Sequence, residues 1–389
     1  MLKQYYGDFH IHIGRDQFNR PVKITGAKSL TLTNILQEAS RRKGIQMIGV
    51  IDCHAPGVIA ELETLLEQEH AYELEEGGIQ FESVTLILGT ELEIYDEHCQ
   101  GPIHVLCYLP YFEKMKQFSQ WLASYMTNIN LSSQRVYLSS HALQKKVKEL
   151  DGLFIPAHVF TPFKSLYGRG VHRSLTEVFD PEMIDAIELG LSADSTMADH
   201  LQELHRFPYL SNSDAHSLAK LGREYQLLVL ARPNFTEFKL ALLNQSNRTI
   251  VANYGLNPKL GKYHQTVCKH CLTPNPTQQM CQQCQRTGVI KGVSERIAEL
   301  SDCPAKDRPN RPPYYYHIPL EYVNGLGKKT YDRLLEAFGT EMAIIHQVNE
   351  QDLSAVAGAK IAKQIIAIRK GEVVITPGGG GKYGRIKRQ

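Results

Sequence analysis

The sequence predicts an α/β catalytic domain built as a barrel of parallel strands, followed by a small cysteine module and an all-α domain. Three observations carry that prediction. Over the first 256 residues, seven short apolar, β-branched stretches alternate with amphipathic helical patterns, which is how strands joined by helical crossovers read. Imidazoles and carboxylates stand at the ends of those stretches, where such barrels gather their chemistry. After residue 256 come four cysteines, a proline-rich connector and glycine–lysine turns ahead of amphipathic helices.

The expected strands are Gln4–His10, Gln46–Asp52, Val84–Glu93, Ile103–Leu109, Leu153–His158, Ile184–Leu189 and Tyr209–Ser213. Each is short and rich in Val, Ile and Leu, as buried strands are. Helical patterns are clearest at Leu32–Arg42, Glu61–Glu73, Ser139–Leu150 and Ala198–His205. The expected units are 1–256 for the catalytic barrel, 257–312 for the cysteine module with its linkers, and 313–389 for the helical domain. In and around the second unit, Gly255–His264 reads as a linker, Val293–Leu300 as a short helix and Lys306–Pro313 as a stiff extended connector. Helical hairpins run from about Leu320 to Lys370, and Pro377–Gln389 reads as a flexible basic tail.

Charge is divided unevenly along the chain. Residues 1–256 hold 23 basic and 30 acidic side chains; residues 257–389 hold 20 and 11. An acidic front suits cations and a basic back suits a polyanion. No apolar run is long enough to span a bilayer, and the first metal-binding motif begins at residue 8, which leaves no room for a secretory leader. A soluble cytoplasmic protein acting at the nucleoid is expected, with no membrane partner.

The ligand clusters are specific. His10 and His12 alternate on one strand and project to the same face, as do Asp214 and His216. Glu91, His104 and His158 end three other strands. Imidazole with carboxylate suits zinc first, with manganese, iron or magnesium also admissible, whereas oxygen-only cages suit magnesium or calcium. The expected sets are His10, His12, Glu91 and Asp214 around one ion, and Glu91 bridging to a second held by His104 and His158. A third ion is expected at His54 and His216, assisted by Asp16 or Asp52; Asp52 is alternatively a partner that orients His54. Two or three divalent metals follow, with Asp214, Glu91 and His10 as the catalytic core. Paired ions acidify water and neutralise phosphate oxygens. The other histidines read as surface or hydrogen-bonded core residues.

Cys268-x-x-Cys271 and Cys281-x-x-Cys284 offer four thiolates. Four soft ligands leave no open position, so one structural zinc is expected. Val323-Asn-Gly325-Leu-Gly327-Lys328-Lys329 reads as a helix-hairpin-helix turn whose glycines admit a phosphate to backbone N–H groups. Gly358-Ala-Lys360 is a second, weaker copy, with lysine in the second glycine's place. Lys28, Arg169 and Arg173 stand in loops at the expected catalytic face and are candidates for DNA phosphates. Gln351–Ser354 has a faint clamp-binding character.

The first and last motifs, Asp8-Phe-His10-Ile-His12 and Ser213-Asp214-Ala-His216, resemble those of the polymerase-and-histidinol-phosphatase (PHP) superfamily. Ile155–Phe163, Ala186–Asp194, Leu210–Ser217 and Lys220–Glu224 narrow the resemblance to the endonuclease Q family within it. The resemblance covers nearly the whole chain. It implies a distorted (β/α)7 barrel with a cysteine-bound zinc module after it. It also implies incision of DNA on the 5′ side of uracil, hypoxanthine, xanthine or an abasic site, leaving a 3′ hydroxyl. The chain departs from the superfamily pattern where Cys53 separates Asp52 from His54, and where a histidine soon after the first motif is replaced at best by Asp16. Both departures touch the third metal. The competing expectations are a small-molecule phosphatase, a metal-dependent 3′–5′ proofreading exonuclease, and a zinc-stabilised DNA-binding protein with an inactive barrel.

Overall fold

The computed structural model describes every residue except 276, 278, 373, 374, 380, 384 and 387–389, and describes only the backbone of 375, 376, 385 and 386. Seven strands ring the first part of the chain: β1 (Lys3–Ile11), β2 (Met47–Val50), β3 (Val84–Ile94), β4 (Ile103–Leu109), β5 (Leu153–Pro156), β6 (Ile187–Glu188) and β7 (Tyr209–Leu210). β1, β2 and β3 pair in parallel, as do β6 and β7. Single contacts close the remaining gaps. Asp185 N donates to Phe154 O and Val159 N to Glu188 O, both at 3.0 Å, between β5 and β6. An Ile11–Ala215 bridge joins the exit of β7 to β1. The ring is therefore continuous but ragged.

One expectation is overturned. β4 runs antiparallel to both β3 and β5, so the barrel is not all-parallel. The loop 95–102 between β3 and β4 is too short for a helical crossover and makes a hairpin instead. The strands are apolar because both faces are buried: Phe9, Ile11, Ile48, Val50, Leu86, Leu88, Val105 and Phe154 are each 0% exposed.

Two further strands, β8 (Tyr225–Leu230) and β9 (Thr249–Gly255), extend the sheet antiparallel from β1. The cysteine module is held by a small antiparallel pair, β10 (Val267–Cys268) and β11 (Val289–Ile290). Strand β12 (Tyr314–Tyr316) then adds to β9 in parallel, so the start of the third unit is stitched into the barrel sheet.

Among the helices, α1 (Leu32–Glu38) is capped by the Thr31 side chain and runs into a π-turn over Ala39–Lys43. Helix α2 spans Pro56–Glu67 rather than 61–73, because Pro56 serves at the first helical position. Helices α3 (Phe112–Leu122), α4 (Ser140–Glu149) and α6 (Phe235–Leu242) pack outside the strands. The helix expected at 198–205 is only α5 (Ser195–Ala198), capped by Asp194, and a 3-10 turn at Gln202–Leu204. Helix α7 spans Val293–Leu300.

Four helices form the last domain: α8 (Lys328–Phe338), α9 (Glu341–His346), α10 (Glu350–Ala357) and α11 (Ala359–Arg369). Polar contacts tie them to the barrel. Lys43 Nζ and Glu341 Oε1 are 2.9 Å apart and almost fully buried, and Tyr225 OH meets His346 Nε2 at 2.7 Å. The clamp-like Gln351–Ser354 lies inside α10 with Leu353 buried, so no extended peptide is presented there.

In the tail, Gly378 N donates to Lys259 O at 2.6 Å and Gly381 N to Lys262 O at 3.0 Å, against the linker. Residues 380, 384 and 387–389 of the tail lie outside the described residues.

Candidate metal centre

The strand ends deliver two ligand sets that meet at one carboxylate. His10, on β1, His12, just beyond it, and Asp214, in the turn after β7, form the first. Glu91 on β3, His104 on β4 and His158 after β5 form the second; within each set the ligand atoms lie within 4.8 Å of one another. His10 Nε2 and His12 Nε2 are each 3.5 Å from Asp214 Oδ1, and 3.6 and 3.7 Å from the two Glu91 oxygens. Glu91 Oε1 is also 2.9 Å from His104 Nδ1 and 3.3 Å from His158 Nε2. Glu91 therefore touches both sets, as a bridging ligand must.

His104 reaches this rim from the beginning of its strand, because β4 is reversed. Backbone strain accompanies the arrangement: Asp214 and His158 adopt φ of +45° and +32°, a region that costs non-glycine residues of the order of 1 kcal/mol. Gly190 makes room for the second, since a Cβ there would stand 2.8 Å from that of His158.

The donor atoms fit metal ions. His10 Nε2 and His12 Nε2 are buried with no hydrogen-bond partner among the described residues, a costly state that a cation relieves. Their other nitrogens are held from behind. Glu188 Oε1 lies 2.9 Å from His10 Nδ1, and Asp52 Oδ2 3.2 Å from His12 Nδ1. Such partners fix the tautomer and aim the free nitrogen inward. Burial opposes the charge on Glu91, yet His104, Lys23 and His158 together hold its carboxyl well below the usual range. Asp214 is held down in the same way, against burial, by His10, His12 and His216.

The residues expected at a third ion are not brought together. Asp16 accepts from the Phe18 and Arg20 amides at 3.0 and 2.8 Å and pairs with the Arg20 side chain. Asp52 serves His12 and the Ile13 amide rather than His54. His54 Nδ1 is hydrogen-bonded to the Thr90 hydroxyl. His216 does lie at the rim, its ring 4.6 Å from that of His12, with Nδ1 3.1 Å from the Asp214 carbonyl.

Several participants escape the sequence reading. Glu188 is an uncompensated carboxylate in an apolar strand, which is the signal that could have found it. It also accepts from the His158 amide and from Asn212 Nδ2, at 2.8 and 2.7 Å. Lys23 extends its ammonium to Glu91 Oε2 at 3.3 Å. A turn carrying Ser132 and Ser133 closes the site, Ser132 meeting His12 Nδ1 at 3.1 Å and Ser133 donating to Glu91. No pattern in the sequence marks that turn.

A cavity of about 540 Å3 opens directly on His158, Glu188, Asp214 and His216. Its far wall is Lys262, Tyr263 and, from the tail, Tyr383. Arg223 fastens this wall to the centre: it donates to the Ser213 and Asp214 carbonyls at 2.7 and 3.1 Å and to Tyr383 OH at 3.1 Å.

Among the basic loop residues, Lys28 is exposed beside Ala27, whose amide donates to His216 O at 2.8 Å. Arg169 and Arg173 are exposed farther out, Arg169 lining a second cleft of about 470 Å3 against the cysteine module. Gly325 and Gly358 have φ of +84°, and nothing lies within 4 Å of a Cβ placed at Gly325, Gly327 or Gly358. Lys328, Lys329 and Lys360 are exposed beside them. Both turns are thus open to a ligand at a helix start, α8 and α11. The four cysteines are free and converge, with Cys268 and Cys284 Sγ 3.5 Å apart and Cys271 and Cys281 likewise. Four convergent thiols fit one tetrahedral zinc. No described helix is long and apolar enough to cross a membrane.

No family model matches the chain. It is 55% identical over 387 residues to the uncharacterized protein YqxK of Bacillus subtilis (strain 168), covering 99% of this chain and all of that one. The lesion-specific endonuclease PfuEndoQ from Pyrococcus furiosus superposes with a TM-score of 0.85 and 33% identity, over 99% of this chain and 95% of that one. Endonuclease Q in complex with a 27-mer duplex substrate bearing an abasic lesion at the active site gives the same score and identity, over 100% and 97%.

Proposed function

The chain belongs to the endonuclease Q family, and from that premise we propose that it is a metal-dependent DNA-repair endonuclease. In this reading it hydrolyses the phosphodiester on the 5′ side of a deaminated base (uracil, hypoxanthine or xanthine) or an abasic site, leaving a 3′ hydroxyl. It acts in the cytoplasm, at the nucleoid. The observation that carries the reading is the cavity that opens on Asp214 and His158, one residue from each ligand set: a backbone phosphate at those residues would leave the adjoining nucleotide free to turn into it.

The centre takes two divalent ions, zinc by preference, at His10–His12–Asp214 and Glu91–His104–His158. When bound, they acidify water and neutralise phosphate oxygens. The protein's own part is orientation. Glu188 and Asp52 aim His10 and His12, Arg223 fixes the turn that carries Asp214, and the cavity receives the extruded lesion, for which unstacking is least costly. Tyr263 and Tyr383 line the cavity and supply aromatic surface for a base or sugar.

Lys28, Arg169 and Arg173 hold phosphates near the cut. The turns at Gly325–Gly327 and Gly358, with Lys328, Lys329 and Lys360, grip the duplex without reading its sequence. Cys268, Cys271, Cys281 and Cys284 hold a structural zinc. Basic flanking domains suit a nucleic acid better than a small phosphate ester.

The test is cleavage mapping on end-labelled duplexes that carry one uracil, hypoxanthine, xanthine or abasic site. A single nick on the 5′ side of the lesion supports the proposal. Stepwise 3′ trimming would make the enzyme an exonuclease, and no cutting beside release of phosphate from a small ester would make it a phosphatase.

A further inference from the structure

Lys23 is the one ammonium that reaches the ligand sets among the described residues. It stands on the loop between β1 and α1 with its side chain only 15% exposed. Its Nζ lies 2.6 Å from Ser133 Oγ and 3.3 Å from Glu91 Oε2. The loop is built to hold it there: Lys23 N donates to Ile13 O at 2.8 Å, and Ser132 N to Val22 O at 2.9 Å.

Ser132, next to Ser133 in the chain, meets the same His12 nitrogen as Asp52, so the ammonium stands beside one residue expected at a third ion, and the expected ligands are themselves engaged elsewhere. Asp16 is consumed by its own loop, Asp52 by His12, and one nitrogen of His54 by Thr90. His54 Nε2 and Asp52 Oδ1 are left over, but neither belongs to a cluster of three donors among the described residues. A fixed positive charge beside Glu91 would also repel a further divalent ion. An ammonium carries three N–H donors, and two of these are taken by Ser133 and Glu91.

We propose that Lys23 is a built-in cation that takes the place of a third metal: the barrel is completed by two divalent ions and one ammonium, whose remaining N–H meets the scissile phosphate. This rests on the phosphodiesterase reading above and specifies how that site is completed.

The experiment is anomalous diffraction from crystals of the full chain loaded with zinc or manganese, paired with Lys23→Met and Lys23→Arg. Two barrel peaks, one in each ligand set, with Lys23 Nζ still beside Glu91, support the proposal. A third peak near His54 or His216, with Lys23 displaced, overturns it while leaving the phosphodiesterase reading intact. No barrel peak at all removes both. Lys23→Met is expected to keep two ions and its melting temperature while kcat on an abasic duplex falls about 100-fold, the usual effect of deleting one preorganised charge. Lys23→Arg recovers part of that loss. Unchanged kcat in a two-ion Lys23→Met protein also overturns the proposal; should that variant not fold, the wild-type peaks and Lys23→Arg decide.

Discussion

Glu91 and His104 meet at 2.9 Å across an antiparallel strand pair, from residues that sit diagonally on one face of the sheet. The reversal of β4 is what makes this contact. On a parallel strand the histidine would start at the opposite end of the barrel, and Glu91 would have no second ligand set to bridge.

Behind the ligands, Glu188 orients His10. Glu188→Gln keeps the shape but removes the carboxylate that fixes the imidazole tautomer. Zinc affinity is expected to fall about 10- to 100-fold, as is typical when such a partner is lost. Titration against a competing chelator reads this, and affinity equal to wild type would show that Glu188 does not orient His10.

The tail supplies a wall of the cavity through Tyr383. Tyr383→Ala should raise KM for an abasic duplex about tenfold, within the range of one lost aromatic–base contact, with kcat changed less than twofold. Tyr383→Phe, which loses only the hydrogen bond to Arg223, should lie between the two. Steady-state kinetics at fixed salt checks both values, and a fall in kcat at unchanged KM would contradict the assigned role.

The glycine turns predict a salt signature. Replacing Lys328 and Lys329 together by alanine removes two phosphate contacts. The slope of log affinity against log salt should fall by about 2. Preference for lesion over undamaged duplex should stay the same, because these residues touch no base. Fluorescence anisotropy over a salt series measures both quantities.

The seam between the barrel and the last domain should be acid-sensitive. Burial holds His346 at about 4 and His317 at about 3, below their ordinary 6.5. The unfolded chain therefore binds protons that the folded chain refuses. Their contribution is fully present above about pH 6.5 and is lost as pH falls towards 4, at up to ~1.4 kcal/mol per pH unit for each histidine. The drop in urea midpoint between pH 7.5 and 5 should be smaller in His346→Gln than in wild type. Parallel curves would assign the acid sensitivity elsewhere.

Much of this was legible in the sequence because metal ligands at strand ends must be of particular types at particular spacings. His10, His12, Glu91, His104, His158 and Asp214 all converge where their strands end or begin. The direction of β4 was not legible, since an apolar run reads the same in either sense. Strands β8 and β9 and helices α3 and α6 were passed over in stretches that offered no chemistry to anchor them. The turn after β2 sends Asp52 to His12 and His54 Nδ1 to Thr90, leaving His54 Nε2 without a partner among the described residues, and no period in the sequence reports that division. Lys23, Ser132 and Ser133 come from loops, where position is set by tertiary contacts that no period reports.

The central claim is that two ligand sets joined at Glu91 cut DNA beside a lesion. The most direct measurement is incision of a duplex bearing one abasic site by metal-free protein, wild type and Glu91→Gln, as zinc or manganese is added back. Wild type should regain a single nick on the 5′ side of the lesion as ions bind, while Glu91→Gln stays at least 1,000-fold slower, at the upper end of what one lost electrostatic contact costs. Full nicking by Glu91→Gln, or by wild type held free of metal, would contradict the account.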